Sequence, residues 1–187
     1  MQHEHYMKRV PQAEREAWAP LLGRIVIAFG NIEHAAVSLI AAATSQTFGG
    51  RASKLPLQPR LQVLDGLLRP PSLDAPLVEH WSVALSRVED LRRNYRNAIA
   101  HGAPVVDIYE DRSGNVTFRL SHVSARLPVK SMTFAEIAKA ASACEQAHMD
   151  LAKAGMALVD DLLRRHLLPL SEPTLPRQRR ACQNPAE

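Results

Sequence analysis

Two cysteines, Cys144 and Cys182, stand in 187 residues, and neither belongs to a CxxC or Cys/His cluster. That excludes a disulfide framework and makes a reducing cytoplasm the expected compartment. Aromatic residues are scarce at 5%. No P-loop, dinucleotide-binding glycine fingerprint or GxSxG elbow occurs, and no HExxH or other metal-ligand spacing, so no cofactor and no metal are expected. The opening residues 1–9 carry no signal-like apolar stretch. No apolar run reaches the ~20 residues a membrane span needs, so a soluble protein without a membrane partner is expected. The net charge of +4 and pI near 9.4 tolerate a phosphate-bearing partner without requiring one, since part of the charge falls in the tail run Arg177-Gln178-Arg179-Arg180.

Alanine and leucine dominate the 46% hydrophobic content, which favours helix over strand. Trp18, Leu21, Leu22, Ile25, Phe29, Ile32, Ala36, Leu39 and Ile40 recur at helical spacing, predicting a first helix from residues 11–14 to about Thr47. Pro20 either starts its main body or kinks it, and Gly49-Gly50 is the expected stop. A short amphipathic segment, about Pro59 to Leu68, follows. The next long helix is expected from about Ala75 to His101, with Leu77, Trp81, Leu85, Val88, Leu91, Tyr95 and Ile99 as its apolar stripe. Gly102 and Pro104 close it.

Val105–Tyr109 and Val116–Leu120 flank a turn-forming segment and predict a hairpin, with a third short extended piece near Leu127 to Val129. Thr133-Phe134-Ala135-Glu136 has the capping-box pattern and predicts the start of a last helix reaching about Leu168. Cys144 reads as a small core residue of that helix and His148 as partly buried. The expected fold is therefore all-α: an up-and-down bundle of three long helices plus one short helix. A small β-hairpin insertion, about 104–130, lies between the last two long helices. Residues 1–11 are expected to be flexible, 12–168 to form one domain, and 169–187 to be a disordered Pro/Arg-rich tail.

The densest chemistry lies in Arg92-Arg93-Asn94-Tyr95-Arg96-Asn97-Ala98-Ile99-Ala100-His101. Arginine is a permanent cation suited to phosphate, and histidine gives and takes protons near neutral pH. On a regular helix Glu89, Arg93, Asn97 and His101 step by four and form one ridge. Arg96 and His101, five apart, differ by about 140°. Their tips converge on one phosphate either because arginine is long and His101 sits at a frayed end or, as the angle favours, across a symmetric dimer in which each subunit completes the other's site. Glu33 falls on the flank of an apolar face among Val26, Gly30 and Val37, where a carboxylate needs a partner. Arg96 or His101 is the expected one.

Arg96-Asn97-Ala98-Ile99-Ala100-His101 resembles the Arg-x4-6-His motif of the HEPN superfamily (higher eukaryotes and prokaryotes nucleotide-binding), including a polar residue just after the arginine. Phe29-Gly30-Asn31-Ile32-Glu33-His34-Ala35 resembles that family's first long helix, and the helical pattern fits residues 12–168. The resemblance implies a dimeric, metal-independent endoribonuclease, of the kind found among toxins and phage-defence effectors. His101 would be its general acid or base, Arg96 its phosphate-stabilising cation, and Asn97 and Glu33 the supporting residues. RNA is the implied substrate, with an antitoxin or a nucleotidyltransferase as a further partner. Two other readings compete: a non-catalytic HEPN-like module binding nucleotide, RNA or a partner protein, and a plain helix end. In the plain reading His101 merely favours the helix dipole, Arg93 pairs with Glu89, and Arg92 lies in solvent.

Overall fold

A computed structural model describes residues 12–69, 74–97, 99, 103–110, 113, 115–123 and 131–165. Its elements are α1 (Gln12–Ala43), α2 (Gln46–Ala52), α3 (Leu57–Leu68), α4 (Ala75–Leu91), a π-helical turn (Arg92–Arg96), β1 (Ala103–Glu110), β2 (Val116–Val123), β3 (Ser131–Thr133) and α5 (Phe134–Arg164). The chain is mostly helical with a small antiparallel hairpin. It divides into two compact units, and α1, α4 and α5 each contribute to both.

The first unit takes α1 up to Ile32, α4 from Ser82, the strands, and α5 up to Leu151. Its core is drawn from the faces the periodicity marks: Trp18, Ile25, Phe29 and Ile32 on α1, Val88 on α4, and Ile137, Ala141, Cys144 and Leu151 on α5 are all buried. The Trp18 and Phe134 rings meet edge to face, centroids 5.3 Å apart. β1 and β2 pair in antiparallel register from Ala103↔Val123 to Glu110↔Val116, and β3 adds to β2 through Leu120↔Met132. The predicted capping box forms where β3 hands over to α5. Thr133 N–H donates to Glu136 Oε2 (2.7 Å) and Glu136 N–H to Thr133 Oγ1 (3.3 Å). The third strand lies at Ser131–Thr133, while residues 127–129 fall outside the described residues.

The second unit takes α1 from Glu33, then α2, α3, α4 up to Trp81, and α5 from Ala152. Here the expected end of the first helix is corrected. The break comes at Thr44-Ser45, and Gly49-Gly50 lie inside α2. The Thr44 hydroxyl donates back to the Ile40 carbonyl (2.6 Å), and Ser45, in extended conformation, caps α2 by accepting from Phe48 N–H. Gly49 serves packing, because a Cβ there would lie 2.7 Å from Ala41 Cβ. Likewise a Cβ on Gly155 would run into the Leu39 side chain, so α5 lies directly against Leu39 of α1. Leu57, Leu61, Leu64 and Leu68 bury one face of α3, and Trp81 Nε1 donates to Asp65 (2.8 Å).

Pro20 lies inside α1, which begins at Gln12. By length and composition, Glu16–Ala43 of this helix is apolar enough to cross a membrane, with mean hydropathy 1.7 in its most apolar window, 39% of which is buried. Counting uninterrupted apolar runs misses this property, because Gly30, Asn31 and His34 interrupt the run while Arg24 and Glu33 are its only charges between Ala17 and Ala43. Residues 1–11 and 166–187, including both expected flexible ends, fall outside the described residues.

Candidate functional site

The site is built at the end of α4. The Asp74 carbonyl receives the first amides, Leu77 and Val78, and Pro76 sits in the first turn where its missing N–H is harmless. Trp81, Ala84, Val88 and Leu91 turn inward at three-four spacing. After Leu91 the ladder changes. Asn97 N–H bonds the Arg92 carbonyl, five residues back instead of four, while the flanking Leu91 and Asn97 keep ordinary helical dihedrals.

This turn corrects the expected continuous α-helix to His101 and the ridge drawn on it. An i→i+5 step inserts one residue into the turn, so Asn97 follows Arg92 along the helix and no longer Arg93. Glu89 shifts its allegiance accordingly. Arg92 Nε and Nη2 both donate to Glu89 Oε2, at 3.0 and 2.9 Å, while Arg93 Nε stays 3.8 Å from the same oxygen. The side chain of Arg92 is only 12% exposed, against 67% for Arg93. Arg92 is thus the ion-pair partner and Arg93 the solvated residue, the reverse of the plain reading. Asn94 Nδ2 donates to the Asp90 carbonyl (2.9 Å).

Tyr95, Arg96, Asn97 and Ile99 are half-buried. The structure brings Arg96 and Asn97 together with the Glu89–Arg92 pair on this one helical end. His101 lies outside the described residues, with Ala98, Ala100 and Gly102. Of the other histidines, His34 and His80 are exposed and His148 is half-buried. Among the described residues no group of three or more His, Cys, Asp or Glu side chains is placed to hold a metal ion. Cys144 is fully buried and its thiol is pushed up to about 12 by desolvation. It is a core residue, as expected.

Glu33 lies on α1 in the second unit, a third exposed, and its described partner is an arginine the sequence reading did not single out. Arg60 of α3 is 5% exposed. Its Nη1 donates to the Glu33 carbonyl (3.2 Å) and lies 3.8 Å from Glu33 Oε2, and its Nη2 donates to the Ser53 and Leu55 carbonyls (2.8 and 2.6 Å). Desolvation lowers the Arg60 pKa and Glu33 opposes that shift. A sequence signal for Arg60 existed. It stands three after Leu57 and four before Leu64, on the apolar face of α3, where a charge needs a designated partner.

Compared with protein-family models, curated proteins and solved structures, the chain matches none. Function therefore rests on the site.

Proposed function

We propose that the chain is a HEPN-type all-α domain acting as a metal-independent endoribonuclease, a homodimer of the cytoplasm serving as a toxin or defence component. In this reading α1, α4 and α5 are the three long helices of an up-and-down bundle, α3 is the short one, and the hairpin is the insertion between the last two long helices. Arg96 and His101 are the catalytic pair, with Asn97 in support. His101 accepts the proton of the ribose 2′-hydroxyl, the O2′–P bond forms and the P–O5′ bond breaks. A protonated histidine supplies the proton taken up by the leaving 5′ oxygen. Arg96 stabilises the charge gathering on the phosphoryl oxygens. The nucleophile is internal to the RNA, so the products are a 2′,3′-cyclic phosphate and a 5′-hydroxyl.

The observation that supports this reading is the π-turn. Such turns are rare, appear mostly as single-turn bulges inside α-helices and are frequent at functional sites, and this one ends on Arg96, the first residue of the motif. The test is RNA cleavage by the wild type, Arg96→Ala and His101→Ala in the presence of a chelator. The wild type is expected to cut and leave cyclic-phosphate ends, and each variant to lose roughly 100-fold or more. Equal background in all three overturns the enzyme and favours a non-catalytic module that binds nucleotide, RNA or a partner protein.

A further inference from the structure

The end of α4 carries two side-chain contacts that the reaction itself does not use. Glu89 takes both Arg92 hydrogen bonds on a single carboxylate oxygen, and the two side chains are 21% and 12% exposed. Arg92 is also the first residue of the π-turn, and its carbonyl receives the Asn97 amide. Within the turn, the Asn94 side-chain amide donates to the Asp90 carbonyl just before it. Side-chain contacts therefore hold the helix where its ladder changes register.

In an uninterrupted α-helix the Arg92 carbonyl would receive the Arg96 amide, four residues on. The inserted residue turns all that follows back by about 100°. The face on which Asn97 stands, and the placement of Arg96 beside it, therefore depend on the π-turn being kept. A charge-assisted pair withdrawn from solvent is a stronger hold than an exposed one.

We propose, resting on the ribonuclease reading above, that Glu89 is a positioning residue for Arg96 and Asn97. Its ion pair with Arg92 anchors the first residue of the π-turn, and the turn presents Arg96 and Asn97 to the phosphate. Glu89 itself touches no reacting atom.

The test uses the full chain with Glu89→Gln and, separately, Asn94→Ala, which leaves the ion pair in place. RNA cleavage under chelator, urea unfolding and NMR amide exchange are measured on each. Glu89→Gln is expected to lower kcat roughly 10- to 100-fold with KM unchanged. The Asn97 amide exchanges faster, while amides in the middle of α4 do not. Exchanging the charges, Glu89→Arg with Arg92→Glu, recovers much of kcat. Asn94→Ala moves the same readouts in the same direction by less, and Arg92→Gln, which removes the same ion pair from its other partner, decides the matter if Glu89→Gln does not fold. Wild-type kcat and wild-type Asn97 exchange in the folded variants overturn the inference alone. A wild type that cleaves no RNA overturns the ribonuclease reading, and the inference with it.

Discussion

Two arginines, Arg60 on α3 and Arg92 at the π-turn, each sit against a glutamate, but their surroundings differ. Arg60 is almost entirely buried, donates to three backbone carbonyls from two stretches of chain, and keeps Glu33 at 3.8 Å. Its Nε has no hydrogen-bond partner among the described residues. Arg92 meets its glutamate directly and within one helix. Arg60 therefore ties separate segments of the second unit together, whereas Arg92 governs the local course of a single helix in the first. A buried charge is tolerated when carbonyls replace its water. A half-buried one next to a helix irregularity acts on direction more than on stability.

The contrast makes ordered predictions. Arg60→Ala removes the donor to the Ser53 and Leu55 carbonyls, an added donor to the Glu33 carbonyl, and the cation beside the Glu33 carboxylate. A loss of about 2–5 kcal/mol in urea unfolding is expected, from the Ser53 and Leu55 carbonyls left without their donor. If Arg92→Ala costs as much, the distinction between the two arginines fails. Its expected cost is only about 1.5–3 kcal/mol, the range of a hydrogen bond to a charged group. Gly155→Ala, which pushes a methyl into Leu39, is expected to cost about 1–3 kcal/mol, with Leu39→Val restoring part of it in the double variant. Thr133→Ala removes the cap of α5 and should cost about 1 kcal/mol by thermal denaturation.

The smallest effect concerns an exposed pair. Arg24 donates to both oxygens of Glu145 (2.8 and 2.7 Å) and thereby holds that carboxyl below the usual range. A depressed folded pKa gives stability that is present above the unfolded value, about 4.3, and lost as pH falls through the folded one. Unfolding curves of Glu145→Gln should therefore part slightly from wild type at neutral pH and converge with it in acid. Curves that diverge further in acid would contradict this assignment.

What could be read from the sequence was local. The amphipathic segment ending at Leu68, the strand pairing and the Thr133/Glu136 box all depend on residues within a few turns or one hairpin of each other, and they appear as expected, though the helix begins at Leu57 and not near Pro59. The break at Thr44-Ser45 was hidden because hydroxyl back-bonding and a serine cap compete with an equally plausible glycine stop five residues later. The π-turn has no composition of its own, since it is a choice of acceptor between the fourth and fifth residue back. That choice overturned the Glu89–Arg93–Asn97 ridge. Glu33 was expected to face Arg96 or His101, and finding Arg60 as its described neighbour requires knowing how α3 returns to α1. Arg96 and Asn97 do fall on one helical end, while the geometry of His101 lies outside the described residues.

The division of the chain bears on how it can be taken apart. The three boundaries between the units, at 32/33, 81/82 and 151/152, all fall inside helices: α1, α4 and α5. Separable modules are usually joined through exposed linkers with few contacts, and here the joints are hydrogen-bonded helical turns. No single cut releases either unit, since each is assembled from discontinuous stretches of the chain. A truncation at any of these points severs a helix that both units share. Excision of the arginine-rich helical end as a minimal fragment is therefore expected to fail. Functional dissection of this protein belongs to point substitutions in the intact chain.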